Sequence, residues 1–134
     1  MKIVVTMALI LAGVTAIMSG CTMFPEFVIA NHSGSTVTVV AGHRNYLVTA
    51  GATVAIIDAG LSNGYEVRRG AERWRLGFPW PTEGYLERGA FRDRIRVWLA
   101  RDLRVCLCRN EAEQLLAVPP PQPRGFPQRP APAR

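Results

Sequence analysis

The stretch Arg94–Cys108, RIRVWLARDLRVCLC, decides the fold of this chain. Apolar and polar residues alternate on both sides of a short polar break, and this period of two is typical of half-buried β-strands. Every second residue from Ile95 to Leu99 shares one face, and so does every second residue from Leu103 to Leu107. The two faces coincide if Leu99 pairs with Leu103. A slip of one residue would expose one apolar set, so the pattern specifies a hairpin with this register.

The same period recurs earlier in the chain. Residues 65–76 form a hairpin when Val67 faces Trp74, which leaves Gly70 and Ala71 as the turn. A glycine at the first turn position suits a type II′ turn. Residues 27–39 alternate across a polar segment and predict a further hairpin.

These strands define the predicted domain organisation. Residues 27–109 predict an all-β domain, a small antiparallel β-sandwich or barrel of about seven to eight strands built from hairpins. Asn110 and Glu113 have the spacing of a capping box and predict a short helix over residues 110–118. Residues 119–134 hold seven of the ten prolines and predict a solvated, disordered tail of polyproline type.

Length and composition favour one folded domain with a basic surface. The 134 residues fit a single domain of ordinary size. The hydrophobic share of 49% excludes wholesale disorder. Sixteen Lys and Arg against ten Asp and Glu give a formal charge of +6, and Lys2 is the only lysine.

The first residues have the layout of a secretory signal. Lys2 is followed by an apolar run from Ile3 to Met18 and then by small residues. The run is shorter than the roughly 20 residues that a spanning helix needs. A cleaved leader is therefore expected, and export from the cytoplasm makes nucleic acid an unexpected partner.

The end of the leader, Met18-Ser19-Gly20-Cys21, resembles the lipobox of bacterial lipoproteins, with methionine where leucine is usual. In that family the cysteine is acylated, with fatty acids such as palmitate, and becomes the first mature residue. The resemblance implies a signal peptide over residues 1–20, a lipid on Cys21 and a tether over residues 21–26. Thr22 is not the aspartate associated with inner-membrane retention in enteric bacteria. The implied location is the outer membrane, on its periplasmic face.

Catalysis has thin support in the sequence. His32 and His43 both lie in predicted turns, and neither has a neighbouring pattern of a triad or a metal site. Both are expected to be solvent-exposed. We therefore expect a protein that is not an enzyme and holds no cofactor or metal.

An aromatic loop is one candidate binding surface. Phe78 and Trp80 alternate with two prolines, and Tyr85 follows. Aromatic rings on a stiff loop can stack on sugars or centre a protein interface. The alternative is that the rings plug the open end of the domain.

Arginines form a second candidate surface. The predicted register places Arg94, Arg96 and Arg104 on the outer face of the last hairpin. Such a set attracts phosphate-bearing lipid head groups or an acidic partner. The alternative is a solvated face that nearby acidic residues partly neutralise.

Cys106 and Cys108 are the thiols that remain once Cys21 is assigned to the lipid. In an extended strand their Cα atoms are about 6.5–7 Å apart, too far for a disulfide without a bulge, and two ligands leave a structural zinc site incomplete. The register sets Cys106 opposite Arg96 and Cys108 opposite Arg94, where exposed thiols would ionise readily. The leading interpretation is an inert pair covered by the C-terminal segment; a strained or intermolecular disulfide and a metal clip are the alternatives.

The sequence thus predicts a non-enzymatic outer-membrane lipoprotein. Its expected role is a scaffold or binding subunit in an envelope assembly such as a secretion machine, with the membrane and an envelope protein as partners. The alternative is a module that binds peptidoglycan or another glycan through the Phe78–Tyr85 loop and the arginines. A third hypothesis is an inhibitor or accessory of an envelope enzyme.

Overall fold

The computed structural model describes residues 23–80 and 83–133. The predicted signal peptide and Cys21 lie outside these residues. No helix among them is long and apolar enough to span a bilayer. The elements are β1 (Glu26–Asn31), β2 (Val37–Ala41), β3 (Arg44–Val48), β4 (Thr53–Ile56), a 3₁₀ helix (Ala59–Asn63), β5 (Tyr65–Arg69), β6 (Glu72–Leu76), β7 (Leu86–Glu87), β8 (Arg94–Leu99), β9 (Val105–Cys108), α1 (Glu111–Gln114) and β10 (Ala131–Pro132).

The strands form two five-stranded sheets. The first has the order β4-β1-β8, with β7 and β9 both pairing along the remaining edge of β8; the second has the order β10-β6-β5-β2-β3. Across the described ranges these are two separate sheets and not one closed sheet. The all-β prediction is confirmed, with ten strands in the described residues rather than about seven to eight, but the first sheet is mixed and not antiparallel as predicted, because β1 and β8 run parallel.

The parallel pairing of β1 with β8 gives the two strands a common direction. It runs from Glu26 opposite Arg94 to Asn31 opposite Leu99. Both strands therefore begin at the same end, which we call the proximal end, and both finish at the other, the distal end. The chain enters the domain at the proximal end.

The hairpin predicted over residues 27–39 is wrong, because β1 and β2 belong to different sheets. The buried Asn31 side chain explains the crossing. Its amide nitrogen donates to the carbonyl oxygens of Ser35 (2.8 Å) and Val48 (3.0 Å), and its oxygen accepts from the Ser33 hydroxyl (2.6 Å). These bonds hold the polar segment in a crossing between the sheets.

The β5–β6 hairpin has the predicted register, with Val67 opposite Trp74 and Gly70 at φ 58° in the turn. The β8–β9 hairpin does not, since Leu99 pairs with Val105 rather than Leu103. Leu103 adopts φ 66° and is buried in the loop. The shift of two residues keeps every side chain on its predicted face.

One apolar core fills the space between the two sheets. It takes alternate side chains from both of them, and residues at its centre have almost no exposed surface. Fully buried members include Phe27, Val39, Val67, Ile95 and Leu107. Burial of such side chains stabilises each by about 1.5–3 kcal/mol.

The C-terminal segment is ordered and not the disordered tail that was predicted. The backbone of Gln128 exchanges two hydrogen bonds with Val105 on β9 (2.9 and 2.8 Å), and β10 then pairs with β6. The segment thus joins the edge strands of both sheets. It is held because edge strands offer unpaired N–H and C=O groups that any extended segment can use. The preceding helix, α1, covers Glu111–Gln114 only.

Candidate functional site

An open groove of about 620 Å³ lies at the distal end of the molecule. Its walls come from the end of β1, the end of β8 and the loop after it, and the C-terminal segment. A smaller recess of about 470 Å³ shares two of its lining residues and extends it toward β6. We call the two together the distal groove. Its lining residues are His32, Trp74, Trp98, Ala100, Arg101, Asp102, Arg104, Pro119, Arg129 and Pro130.

The floor of the distal groove is a fixed pair of rings. His32 stacks on Trp98 with 4.4 Å between ring centroids and 13° between the planes. His32 Nε2 lies 2.6 Å from the carbonyl oxygen of Gln114, and Trp98 Nε1 donates to that of Leu116 (3.1 Å). The predicted exposure holds for His43, which lies in the β2–β3 turn, but His32 is half-buried.

The rim of the distal groove carries positive charge. Arg101, Arg104 and Arg129 are all exposed, and Asp102 is the acidic residue of the lining. Asp102 Oδ2 lies 2.6 Å from Arg104 Nε. Arg101 and Arg129 have no ion pair among the residues that the structure describes, so their guanidinium groups can contact a ligand. Guanidinium pairs bidentately with carboxylate and stacks on aromatic rings, so this lining suits an acidic ligand.

The structure separates the three arginines predicted as one surface. Arg104 lies on the distal groove, while Arg96 donates to both carboxylate oxygens of Glu87 (2.9 and 3.1 Å) and to Gln114 Oε1 (2.9 Å). Arg94 also lies 3.4 Å from Glu87. Arg96 donates the main hydrogen bonds that hold the pKa of the Glu87 carboxyl below its usual range. Arg94 and Arg96 thus act within the domain.

The aromatic loop is also divided. Phe78 is buried against Phe27, with ring centroids 5.6 Å apart. Trp80 is 57% exposed, at the proximal end. Tyr85 is half-buried, with the Arg109 guanidinium 6.0 Å from its ring centroid. Of the three predicted binding rings, Trp80 is the exposed one.

Cys106 and Cys108 are free and buried, and they pack with Trp98 in a small cluster on the face opposite the main core. Cys108 pairs with Arg96 rather than Arg94. Burial raises the pKa of both thiols, that of Cys108 to about 12, which outweighs the opposing effect of Arg104 on Cys106 and of Arg96 on Cys108. Both are therefore protonated at neutral pH and are poor nucleophiles.

Gln114 is the residue that sequence reasoning missed most clearly. It is 1% exposed, and its amide nitrogen donates to the carbonyl oxygens of Val28 (3.0 Å) and Val97 (2.9 Å). The backbone carbonyl oxygen of Gln114 lies within hydrogen-bond distance of His32 Nε2. A glutamine in a short polar helix carries no sequence signal of such burial.

No group of three or more His, Cys, Asp or Glu side chains that could hold a metal ion occurs within residues 23–80 and 83–133. The distal groove offers stacking and ion pairing instead. No protein-family model, curated protein or solved structure matches the chain.

Proposed function

We propose that this protein is a non-enzymatic outer-membrane lipoprotein, held through an acylated Cys21 on the periplasmic face, that serves as a scaffold or binding subunit of an envelope assembly. Its two sheets act as an open β-sandwich that carries the distal groove. The groove binds an acidic segment of an envelope protein.

The observation that carries the proposal is the direction of β1. The strand begins at Glu26, close to Cys21 in sequence, and ends beside His32 in the floor of the distal groove. Six residues of strand at about 3.3 Å each span roughly 20 Å. A lipid on Cys21 would hold the proximal end at the membrane, and the groove would open away from it.

The chemistry of the groove favours a carboxylate-bearing peptide. Arg101 and Arg129 are exposed on its rim without the close carboxylate that Arg104 has. Trp74 and Trp98 add aromatic surface between them. An extended acidic segment can pair with the guanidinium groups and lay apolar side chains on the rings.

A photo-crosslinking amino acid placed at position 100, where Ala100 lines the groove, tests the proposal in cells. It should form an adduct with one envelope protein, whereas the same group at position 47, where the native Leu47 is 65% exposed on β3, should not. Charge reversal by Arg101→Glu and Arg129→Glu should reduce the adduct about tenfold, equivalent to roughly 1.4 kcal/mol of binding free energy.

Equal adducts from both positions, or an adduct that charge reversal leaves unchanged, would contradict binding of the partner at the distal groove. The same cells report on the anchor. Cys21→Ala should move the protein out of the membrane fraction, and its retention there would contradict the lipoprotein assignment.

The glycan-binding alternative has weaker support, because Phe78 is buried and the predicted arginines do not gather around Trp80. A role as inhibitor or accessory of an envelope enzyme would use the same distal groove. In that case the crosslinked partner would be the enzyme.

A further inference from the structure

Three aromatic rings pack together in tilted and edge-to-face contacts at the proximal end, where the described chain begins. Phe24 packs against Phe78 at 5.1 Å between ring centroids and against Trp80 at 5.9 Å, and Phe78 meets Trp80 at 4.6 Å. Phe78 is buried, so it anchors this group of rings in the core. Trp80 is held against Phe78 with 57% of its surface exposed. The ring is thus presented to the outside in a fixed position.

Further exposed apolar side chains lie around Phe24. Met23 precedes it and is 59% exposed. Arg92 Nη1 donates to the Phe24 carbonyl oxygen (2.6 Å), which places the adjacent Phe91, 92% exposed, at the same end. Isolated exposed apolar residues are ordinary on a protein surface. Here three of them, Met23, Trp80 and Phe91, lie at the same end of the molecule, and we call this group the proximal patch, because clustered exposed apolar residues mark interaction sites.

Positive charge accompanies this patch. The Arg88 side chain is 85% exposed, and its contact with Asp93 is long, at 3.9 Å. Arg92 lies beside Phe91 in the same loop. Exposed tryptophan together with arginine is the composition that settles at the headgroup level of a bilayer, where the ring is partly buried and the guanidinium meets phosphate.

The position of Cys21 identifies the occupant of the patch. Met23 follows the cysteine by two residues, and two residues span at most about 7 Å when fully extended. On the proposed lipidation of Cys21, on which this inference rests, the patch lies within that distance of the acyl chains. The bilayer is the surface that this tether brings against it.

We infer that the proximal patch, together with Arg88 and Arg92, seats on the phospholipid layer that holds the anchor. Trp80 and Phe91 enter the headgroup region, and the arginines contact anionic phosphates. Seating fixes the tilt of the domain, because a lipid on a short tether alone would leave it free to rotate. The distal groove is then held facing away from the membrane.

The test uses the lipidated full protein reconstituted in vesicles of phosphatidylethanolamine and phosphatidylglycerol with brominated acyl chains, which quench tryptophan that enters the bilayer. Part of the emission should be quenched in the unaltered protein. The quenched part of the emission should disappear in Trp80→Phe, which keeps an aromatic ring in contact with Phe24 and Phe78. It should remain in Trp74→Phe, which alters the distal end.

Exposed apolar residues supply a matched pair of controls. Phe91→Ser should lower the quenched fraction to near that of Trp80→Phe, whereas Leu47→Ser, at a residue 65% exposed on β3, should leave it unchanged. Replacing phosphatidylglycerol by phosphatidylcholine should also reduce quenching, because the arginines lose anionic partners.

The outcomes separate the inference from the proposed function on which it rests. Protein that floats with the vesicles but whose quenching does not depend on Trp80 or Phe91 overturns the seating and leaves the anchor intact. Protein that does not float overturns the anchor and the seating together. Because the vesicles contain no other protein, the quenching cannot come from contact with a protein partner.

Discussion

At the scale of single residues, the side chain of Gln122 makes the hydrogen bonds that a neighbouring strand would make with β9. Its side-chain oxygen accepts from the backbone N–H of Leu107 (2.7 Å), and its side-chain nitrogen donates to the carbonyl of the same residue (3.0 Å). The amide thereby satisfies both backbone groups of Leu107 at the edge of β9. A proline-rich segment, which lacks many N–H donors, can cover a strand edge in this way.

Gln122→Ala should lower the free energy of unfolding by about 1–2 kcal/mol, because two hydrogen bonds of about 1 kcal/mol each are lost. Urea unfolding followed by tryptophan fluorescence measures the change. Gln128→Ala is the matched control, since Gln128 pairs with Val105 through its backbone and its buried side-chain oxygen has no partner. A larger loss in Gln128→Ala than in Gln122→Ala would contradict this assignment.

Residue chemistry could be predicted from the sequence only where neighbours in the chain supply the environment. The hydrophobic alternation places Cys106 and Cys108 on one face, as observed, but it cannot show that they are buried in a cluster with Trp98 and Ala100. The acidity expected from nearby arginines is therefore reversed by desolvation. Burial depends on the whole fold, and local spacing does not report it.

At the scale of elements, the β5–β6 hairpin was predictable, the hairpin predicted over residues 27–39 was wrong, and the long-range pairings were not predicted. The β5–β6 register follows from one tight turn and two matching apolar faces. The β1–β8 pairing joins distant strands in parallel, and no turn links them to mark the register. The distal groove depends on this pairing, because His32 and the loop after β8 meet only through it. The groove could therefore not be predicted from sequence.

Glu66 on the β5–β6 hairpin should make the free energy of unfolding depend on pH in the acid range. Glu66 Oε1 accepts from Arg73 Nε (2.7 Å) and Arg68 Nε (2.8 Å), and these bonds lower the pKa of Glu66 to about 2. A carboxylate with a lowered pKa stabilises the fold above its ordinary pKa and loses that effect as the pH falls toward 2. The contribution is about 1 kcal/mol or less, because solvent screens the half-exposed Arg73.

Glu66→Gln should therefore lower stability at pH 6 and flatten the loss between about pH 4.5 and pH 2. Urea unfolding at a series of pH values measures this. Glu83→Gln, at an exposed acidic residue outside the hairpin, serves as the control and should leave the profile unchanged. A profile for Glu66→Gln as steep as that of the unaltered protein would contradict the role of the pair.

At the scale of the whole molecule, the C-terminal segment links the two sheets along one side. It pairs with β9 through Gln128 and with β6 through β10. The Ala133 N–H also donates to the backbone carbonyl oxygen of Arg73 (3.0 Å). Its proline content predicted a solvated tail because composition reports what a segment can form alone. The free edges of β6 and β9 supply the partners that it lacks by itself.

A chain that ends at Gln122 should lose about 2–4 kcal/mol of unfolding free energy, since several backbone hydrogen bonds of about 0.5–1.5 kcal/mol disappear. The exposed edges of β6 and β9 should also promote association between copies. Urea unfolding and sedimentation velocity measure the two effects. Removal of residues 131–134 alone keeps the Gln128 pairing and should give an intermediate loss. Unchanged stability in the shorter chain would show that the segment is passive.

The parallel pairing of β1 with β8 also governs the order in which the protein can fold. One edge of β1 can pair with β4 early, but its other edge waits for β8, and Gln128 and β10 then complete the edges of the two sheets. Contacts between distant parts of a chain form slowly, because a long loop must close first. A chain made in this order cannot complete its first sheet until β8 and β9 have appeared. On the proposed export route, this delay keeps the polypeptide threadable through a membrane pore.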